Sequence, residues 1–290
     1  MILSSAMSAS FASVTFWPSG LAVLAYLLAC VWPQAQPNTD RRNERPIWAA
    51  LCFGWLAQAA AIVLDAVMIG GPTAGARFGF APALSVTTWL VLAVYALESR
   101  RLGLPSVRRA LAVLAALAVA VAWFYPGQTR LLHGSPWAPV HWLTGFAAHG
   151  LFGAALLHAA LLRYAEKQLR SGSGGSGQIP SPNLKGQALG MPLLQLESLT
   201  LRFVGAGFFM LTLTLILGAW FDSPWRWDHK TIFSVLSWLV FAVLLLGRAR
   251  FGWRGRQAVR WLVAGSTLLL LAYIGSRFVL EVVLHRPSVA

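Results

Sequence analysis

Trp225-Arg226-Trp227-Asp228-His229-Lys230 is a polar and aromatic stretch set between two apolar runs, 200–220 and 231–247. Read with a window of about twenty residues, the length a helix needs to cross hydrocarbon, it marks where one hydrophobic helix leaves the membrane and the next enters. The same alternation runs along the chain, with spans expected at 11–32, 47–70, 79–98, 107–125, 139–162, 200–220, 231–247 and 260–284. Of the 290 residues, 57% are hydrophobic and 11% charged, and the apolar residues fall in long runs instead of alternating. The expected fold is all-α, a polytopic membrane bundle of about eight transmembrane helices forming one domain over 1–290.

A net charge of +14 suggests nucleic acid in a soluble protein. Here the arginines cluster between apolar runs, which points to membrane orientation and to no nucleic-acid partner. Seventeen of the 23 Lys and Arg residues fall in or beside the connections after spans one, three, five and seven, and six on the opposite side. The positive-inside rule then places both termini outside, periplasmic in a bacterium, and puts Trp225–Lys230 on the outer face of the inner membrane. The connection from about 164 to 198, with Ser171-Gly172-Ser173-Gly174-Gly175-Ser176-Gly177 inside it, reads as a flexible cytoplasmic linker. The first residues carry no basic n-region, so the first apolar segment reads as a retained helix. Cys30 and Cys52 form no Cys-x-x-Cys pair and read as small buried hydrophobes.

Tryptophans at a helix end anchor to the headgroup region in many membrane proteins. Two indoles beside an Asp, a His and a Lys offer more: a flat apolar platform, a metal ligand and charges of both signs. Other ionisable residues within spans are Asp65 and the Arg277–Glu281 pair, whose i,i+4 spacing puts them on one face; Glu98, beside Arg100 and Arg101, reads as a solvated helix end. Four of the six histidines, His133, His141, His229 and His285, fall on the outer side. His149 lies eight residues into span five from His141, about 12 Å along the axis, and His158 turns to the face opposite His149. Histidines gathered near a tryptophan platform suggest a metal or haem site. Zinc fits less well, for there is no His-x-x-x-His or His-Glu-x-x-His pattern. Gly-x-Ser-x-Gly and Gly-x-x-x-x-Gly-Lys-Ser/Thr are also missing from the sequence.

The stretch Trp225–Thr231, followed by Phe233-Ser234 and Ser237-Trp238-Leu239, resembles the tryptophan-rich motif of the cytochrome c assembly (CcsA, CcmC and HemX-like) membrane proteins. Phe78-Gly79-Phe80-Ala81-Pro82-Ala83-Leu84-Ser85, His141, Gly252-Trp253-Arg254-Gly255-Arg256 and Ser276-Arg277-Phe278-Val279-Leu280-Glu281 resemble the small bacterial YpjD/HemX-like branch. The resemblance implies non-covalent, b-type haem held at the outer face, with the tryptophan-rich segment on the macrocycle and outer histidines on the iron. Carried over, it implies haem contacts by Trp225, Trp227 and Asp228 and iron ligation by His141, with His285 matching by position; in the haem reading His285 or His229 is the second iron ligand, Lys230 or Arg226 pairs with a propionate, and His149 is a further candidate. It implies apocytochrome c or another assembly protein as partner, besides membrane lipid. The motif departs from that of the larger assembly proteins: it lacks their glycine-rich lead, and Thr231 stands where they carry Glu. Thioether formation would thus need a partner, which makes the chain an assembly factor more than an enzyme.

Two other readings compete. A HemX-like regulator of haem biosynthesis would act through the cytoplasmic linker, and a small-solute transporter would use Asp65, His149 and Arg277–Glu281. The transporter reading lacks the paired broken helices that mark a midplane substrate site.

Overall fold

The computed structural model describes residues 2–32, 45–67, 75–102, 105–131, 137–172, 187–188, 191–221 and 227–283. Eight long helices follow one another: α1 (Ile2–Val31), α2 (Arg45–Val67), α3 (Phe80–Leu102), α4 (Pro105–Phe124), α5 (Ala138–Gly172), α6 (Leu193–Phe221), α7 (His229–Phe251) and α8 (Gly255–Leu270). Seven of them are long and apolar enough to cross a membrane; α1 contributes the shorter apolar stretch Phe16–Val31. Every span read from the sequence thus corresponds to a helix. Large apolar side chains such as Leu97, Trp220 and Leu246 stay exposed on these helices, as a lipid-facing surface requires. The chain is a multi-pass membrane protein.

Three details differ from the sequence reading, the first being that Cys52 is exposed and Cys30 only half-buried, not buried as expected. Helix α5 runs on to Gly172 and α6 begins at Leu193, so both ends of the expected 164–198 linker are helical; the Gly/Ser run beyond Gly172 lies outside the described residues. The last span is not a uniform α-helix. After α8 the backbone passes into π-helical turns at Leu271–Gly275 and Val279–Val283, separated by Ser276–Phe278. The Ser276 hydroxyl donates to the carbonyls of Ala272 (2.8 Å) and Tyr273 (3.1 Å), engaging the carbonyls that a wider turn leaves misaligned.

Short strands add to the helices. β1 (Gly75–Phe78) pairs antiparallel with β2 (Gln128–Leu131), and β3 (Gln187–Ala188) with β4 (Met191–Pro192). The first ladder ties the connection after α2 to the one after α4, as helices that cross alternately demand.

The chain divides into two compact units. One draws on 1–92, 105–135 and 277–290, the other on 93–104 and 136–276. In the first, α1 packs on α2 and α4. A buried polar cluster sits here: the Tyr26 hydroxyl donates to Gln58 Oε1 (2.7 Å), and Gln58 Nε2 donates to the Ser85 carbonyl (3.0 Å) and hydroxyl (3.1 Å). Trp55 and Trp89 stack with centroids 4.6 Å apart, and each indole N–H donates to the other's backbone carbonyl at 3.1 Å.

The second unit is built around α5, half of whose membrane window is buried, the largest share of any span. Helices α5 and α6 run antiparallel in close contact because small residues line their seam. A Cβ at Gly207 would come within 3.0 Å of Phe152, and one at Gly218 within 3.2 Å of His141, the close approach that glycine permits in membrane bundles. Phe152 stacks on Phe241 of α7 at 3.8 Å. Ser237 of α7 donates to the Gly265 carbonyl of α8 (2.9 Å), and Trp238 Nε1 donates to Thr212 of α6 (2.9 Å). Helix α7 ends at Gly252, whose φ of 64° and N–H bonded back to Arg248 and Gly247 make a left-handed cap that glycine adopts without strain.

Candidate functional site

The tryptophan-rich stretch leads into α7, and its chemistry begins with the start of that helix. Asp228 is the N-cap: extended at φ −82°, ψ 170°, it accepts the Thr231 N–H on its carboxylate at 2.8 Å. A helix begins with unpaired N–H groups and a positive dipole end, and an aspartate there answers both. Asp228 therefore fixes where α7 begins. Trp227, just before it, is 67% exposed, so most of its indole surface is presented to the surroundings. His229 and Lys230 open the helix and are exposed. Trp225, Arg226, His285 and His133 lie outside the described residues.

Lys230 links this rim to the interior. Its Nζ stands 5.9 Å from the centroid of the Tyr273 ring, close enough for a cation–π attraction. Tyr273 belongs to the first π-helical turn, and its ring meets His149 of α5 edge-on at 6.4 Å and Phe146 at the same distance. An exposed lysine, an aromatic ring and a half-buried imidazole thus follow one another. Tyr273 is the residue that sequence reasoning missed. It lies in the run 268–274, where a lone tyrosine reads as interfacial or core; its partners became visible only with the fold.

The three histidines of α5 share one arrangement. His141 Nδ1 lies 3.0 Å from the Thr214 carbonyl of α6, His149 Nδ1 2.8 Å from the Gly145 carbonyl, and His158 Nδ1 2.7 Å from the Ala154 carbonyl. A carbonyl only accepts, so each ring donates from Nδ1–H, and in the neutral tautomer the lone pair resides on Nε2. That division of labour is common in metal-ligating histidines. The surroundings then separate them. His158 is wholly buried beside the Phe203 ring at 5.1 Å, on the side opposite His149 as the nine-residue spacing predicts. His141 sits in the first turn of α5, half-buried, with Gly218 opposite making room for its ring. His149 is the unusual one: its Nε2 is buried with no hydrogen-bond partner, although the Leu269 backbone lies close.

His141 and His149 stand about 12 Å apart along one helix, so they cannot be opposite ligands of one iron. No group of three or more His, Cys, Asp or Glu side chains is gathered for a metal ion among the described residues. A site closed by protein ligands alone needs about four, whereas haem brings four nitrogens of its own and asks for one or two axial donors. The donor set fits haem better than a bare metal ion. Of the transporter candidates, Asp65 is half-buried in α2 and engaged by neighbours, and the side chain of Glu281 lies outside the described residues.

Comparison with known proteins gives a consistent assignment. The family described as Cytochrome C assembly protein matches residues 74–284. A cytochrome c biogenesis protein CcsA from Prochlorococcus marinus (strain MIT 9303) is 33% identical over 222 residues, 66% of this chain and 69% of that protein. The inner membrane protein YpjD of Escherichia coli (strain K12) is 30% identical over 170 residues, 57% of this chain and 60% of that one. A CcsA from Synechococcus sp. (strain CC9902) is 37% identical over 143 residues, 42% of this chain and 47% of that one. No solved structure matches significantly.

Proposed function

The chain belongs to the cytochrome c assembly protein family, with a role in cytochrome c biogenesis, and from that premise we propose that it holds haem at the outer face of the bacterial inner membrane and presents it to apocytochrome c. Haem is the cargo, bound without covalent attachment, and its iron supplies the open axial positions that an imidazole fills. His141 carries the reading: its Nδ1–H is tied to the Thr214 carbonyl, which orients the ring and leaves Nε2 as the electron-pair donor. The second axial donor comes from His285 or His229, on the same side by the positive-inside count. Trp227, with Trp225 before it, offers an apolar face to the macrocycle. Lys230 and Arg226 supply cations for the propionates, a charge-assisted pairing. Asp228 acts by capping α7, which fixes where the helix begins after the tryptophans.

No residue here replaces the apocytochrome thiols that thioether formation consumes, so attachment belongs to an encounter with a partner. His149 sits deeper and serves as a separate donor, ~12 Å from the His141 level.

The test is the visible spectrum of the protein purified in detergent with haem, oxidised and reduced, beside His141→Ala. The reduced wild type is expected to give sharp α and β bands that weaken strongly in the variant. A wild type that stays colourless after haem addition would overturn the reading and leave regulation through the 164–198 connection as its successor.

A further inference from the structure

The three histidines of α5 differ in what holds them. His149 and His158 bond to carbonyls of their own preceding turn, Gly145 at 2.8 Å and Ala154 at 2.7 Å, so one helix suffices to place each ring. His141 instead reaches across to the Thr214 carbonyl of α6 at 3.0 Å. A second helix sets its orientation, and whatever fixes α6 against the first turn of α5 also fixes the ring.

Thr214 meets that turn with its carbonyl, its hydroxyl and its methyl group. The carbonyl accepts from His141. The hydroxyl proton is shared between Thr144 Oγ1 at 3.0 Å and the Met210 carbonyl of its own helix at 2.8 Å. A Cβ at Gly145 would come within 3.6 Å of the methyl group. His141, Thr144 and Gly145 stand at i, i+3 and i+4, one face of α5. The Thr144 hydroxyl spends its own proton on the His141 or Val140 carbonyl, each at 3.0 Å, which leaves its oxygen to accept from Thr214. One turn further along α6, Gly218 faces the ring: a Cβ there would come 3.2 Å from His141 Cε1 and 3.7 Å from Nδ1. Cε1 joins the two ring nitrogens, so a side chain at 218 would push on the edge from which both act. Hydroxyl bonds and close approach at glycine both join membrane helices, and here they converge on a single imidazole.

We propose that Thr214, Thr144 and Gly218 are the positioning residues of His141. The hydroxyl pair sets the Thr214 carbonyl against the first turn of α5, and Gly218 leaves the ring room to reach it. Together they hold the Nδ1–H form, with the electron pair on Nε2. In the other tautomer the proton sits on Nε2, and no pair is left there for a metal. The use of this hold rests on the haem reading of His141, whereas the hold itself does not. Groups that orient a metal-ligating histidine cost roughly 10–100-fold in affinity when they are lost.

The test is nitrogen NMR of the histidine-labelled full chain in mild detergent, without haem, at about pH 8.5, where an unperturbed imidazole is neutral. His141→Ala identifies the signal. The wild type should carry its proton on Nδ1. Gly218→Ala and Thr144→Val should each give a mixture of tautomers, and Thr144→Ser should restore the wild-type form. Alanine suits a helix better than glycine, so unfolding is not the expected effect at 218, and the Thr144 pair tests the hold independently. Haem titrated into the same proteins should bind roughly tenfold more weakly to Gly218→Ala and to Thr144→Val, with Thr144→Ser recovering the wild-type affinity and bands. A wild-type His141 protonated on Nε2 would overturn the proposal, as would variants at 218 and 144 that keep both tautomer and affinity. So would equal losses in Thr144→Ser and Thr144→Val, which would mean that the hydroxyl is not what holds the ring. A wild type with the proton on Nδ1 that takes up no haem would support the hold and sink the haem reading alone.

Discussion

Gln58 and His149 are both polar side chains placed within hydrophobic helices, and the chain treats them in opposite ways. Gln58 is fully buried and both ends of its amide are used, by Tyr26 on one side and Ser85 on the other. His149 commits one nitrogen to the Gly145 carbonyl, and its other nitrogen is buried without a hydrogen bond, the Leu269 backbone lying close to it. Burying an unpaired polar atom costs about 1–3 kcal/mol, a cost that a structural residue would shed. A satisfied polar group in a membrane helix reports on packing; one left unsatisfied points to a ligand.

The sharpest way to break this contrast is stability. Gln58→Leu strands the Tyr26 hydroxyl and deprives Ser85 of its partner, with an expected loss of about 3 kcal/mol and a clear fall in the thermal midpoint. The haem spectrum of the protein that remains folded should be unchanged. His149→Leu should do the reverse, leaving stability the same or higher by about 1 kcal/mol while altering haem uptake. Melting curves of both variants decide it. If His149→Leu costs as much as Gln58→Leu, then His149 is part of the scaffold and the contrast collapses.

The same contrast explains what could be read from sequence. Span positions were legible because apolar runs of membrane length have one stable answer, a helix with its own backbone bonded; all eight runs are helices. His149 and His158 were legible as opposite faces, since 3.6-residue periodicity fixes azimuth within one helix. The partners of those faces were not legible. That His158 meets Phe203 while His149 meets Tyr273 depends on which helices adjoin α5, and nothing local encodes that. The π-turns at the end of the last span escaped for a related reason: Ser276 and Gly275 look unremarkable in an apolar run, and the wider turn shows only in its hydrogen bonds. Asp228 was legible as a motif residue, but its role as an N-cap required the extended backbone that the structure gives it.

Asp228 offers the next test, since a cap and a ligand respond differently to the same substitutions. Asp228→Ala should cost about 1 kcal/mol. Asp228→Asn keeps an oxygen on the Thr231 N–H and should recover most of that. Haem affinity that follows stability through the pair, measured by titration of the visible band, supports capping. Affinity lost equally in both variants would mean that the carboxylate itself meets the cargo, and the division between scaffold and site residues would need redrawing.

The smallest effect expected is at Lys230, and it separates the two kinds of role within one side chain. Its ammonium lies over the Tyr273 ring, an exposed cation–π contact of about 0.5–1 kcal/mol, so Lys230→Met should lower stability by no more than that. The same ammonium is the proposed partner of a propionate, a surface ion pair of up to about 1 kcal/mol, or roughly a fivefold change in affinity. Haem and haem dimethyl ester differ only in whether the propionates carry charge. The wild type should prefer haem, and Lys230→Met should lower that preference by about this factor, leaving what Arg226 contributes. A preference that survives the substitution in full would move the anionic contact elsewhere on the rim. In that case Lys230 joins Gln58 as a residue whose polarity is satisfied within the fold, and His149 remains the inward group whose chemistry calls for something brought from outside.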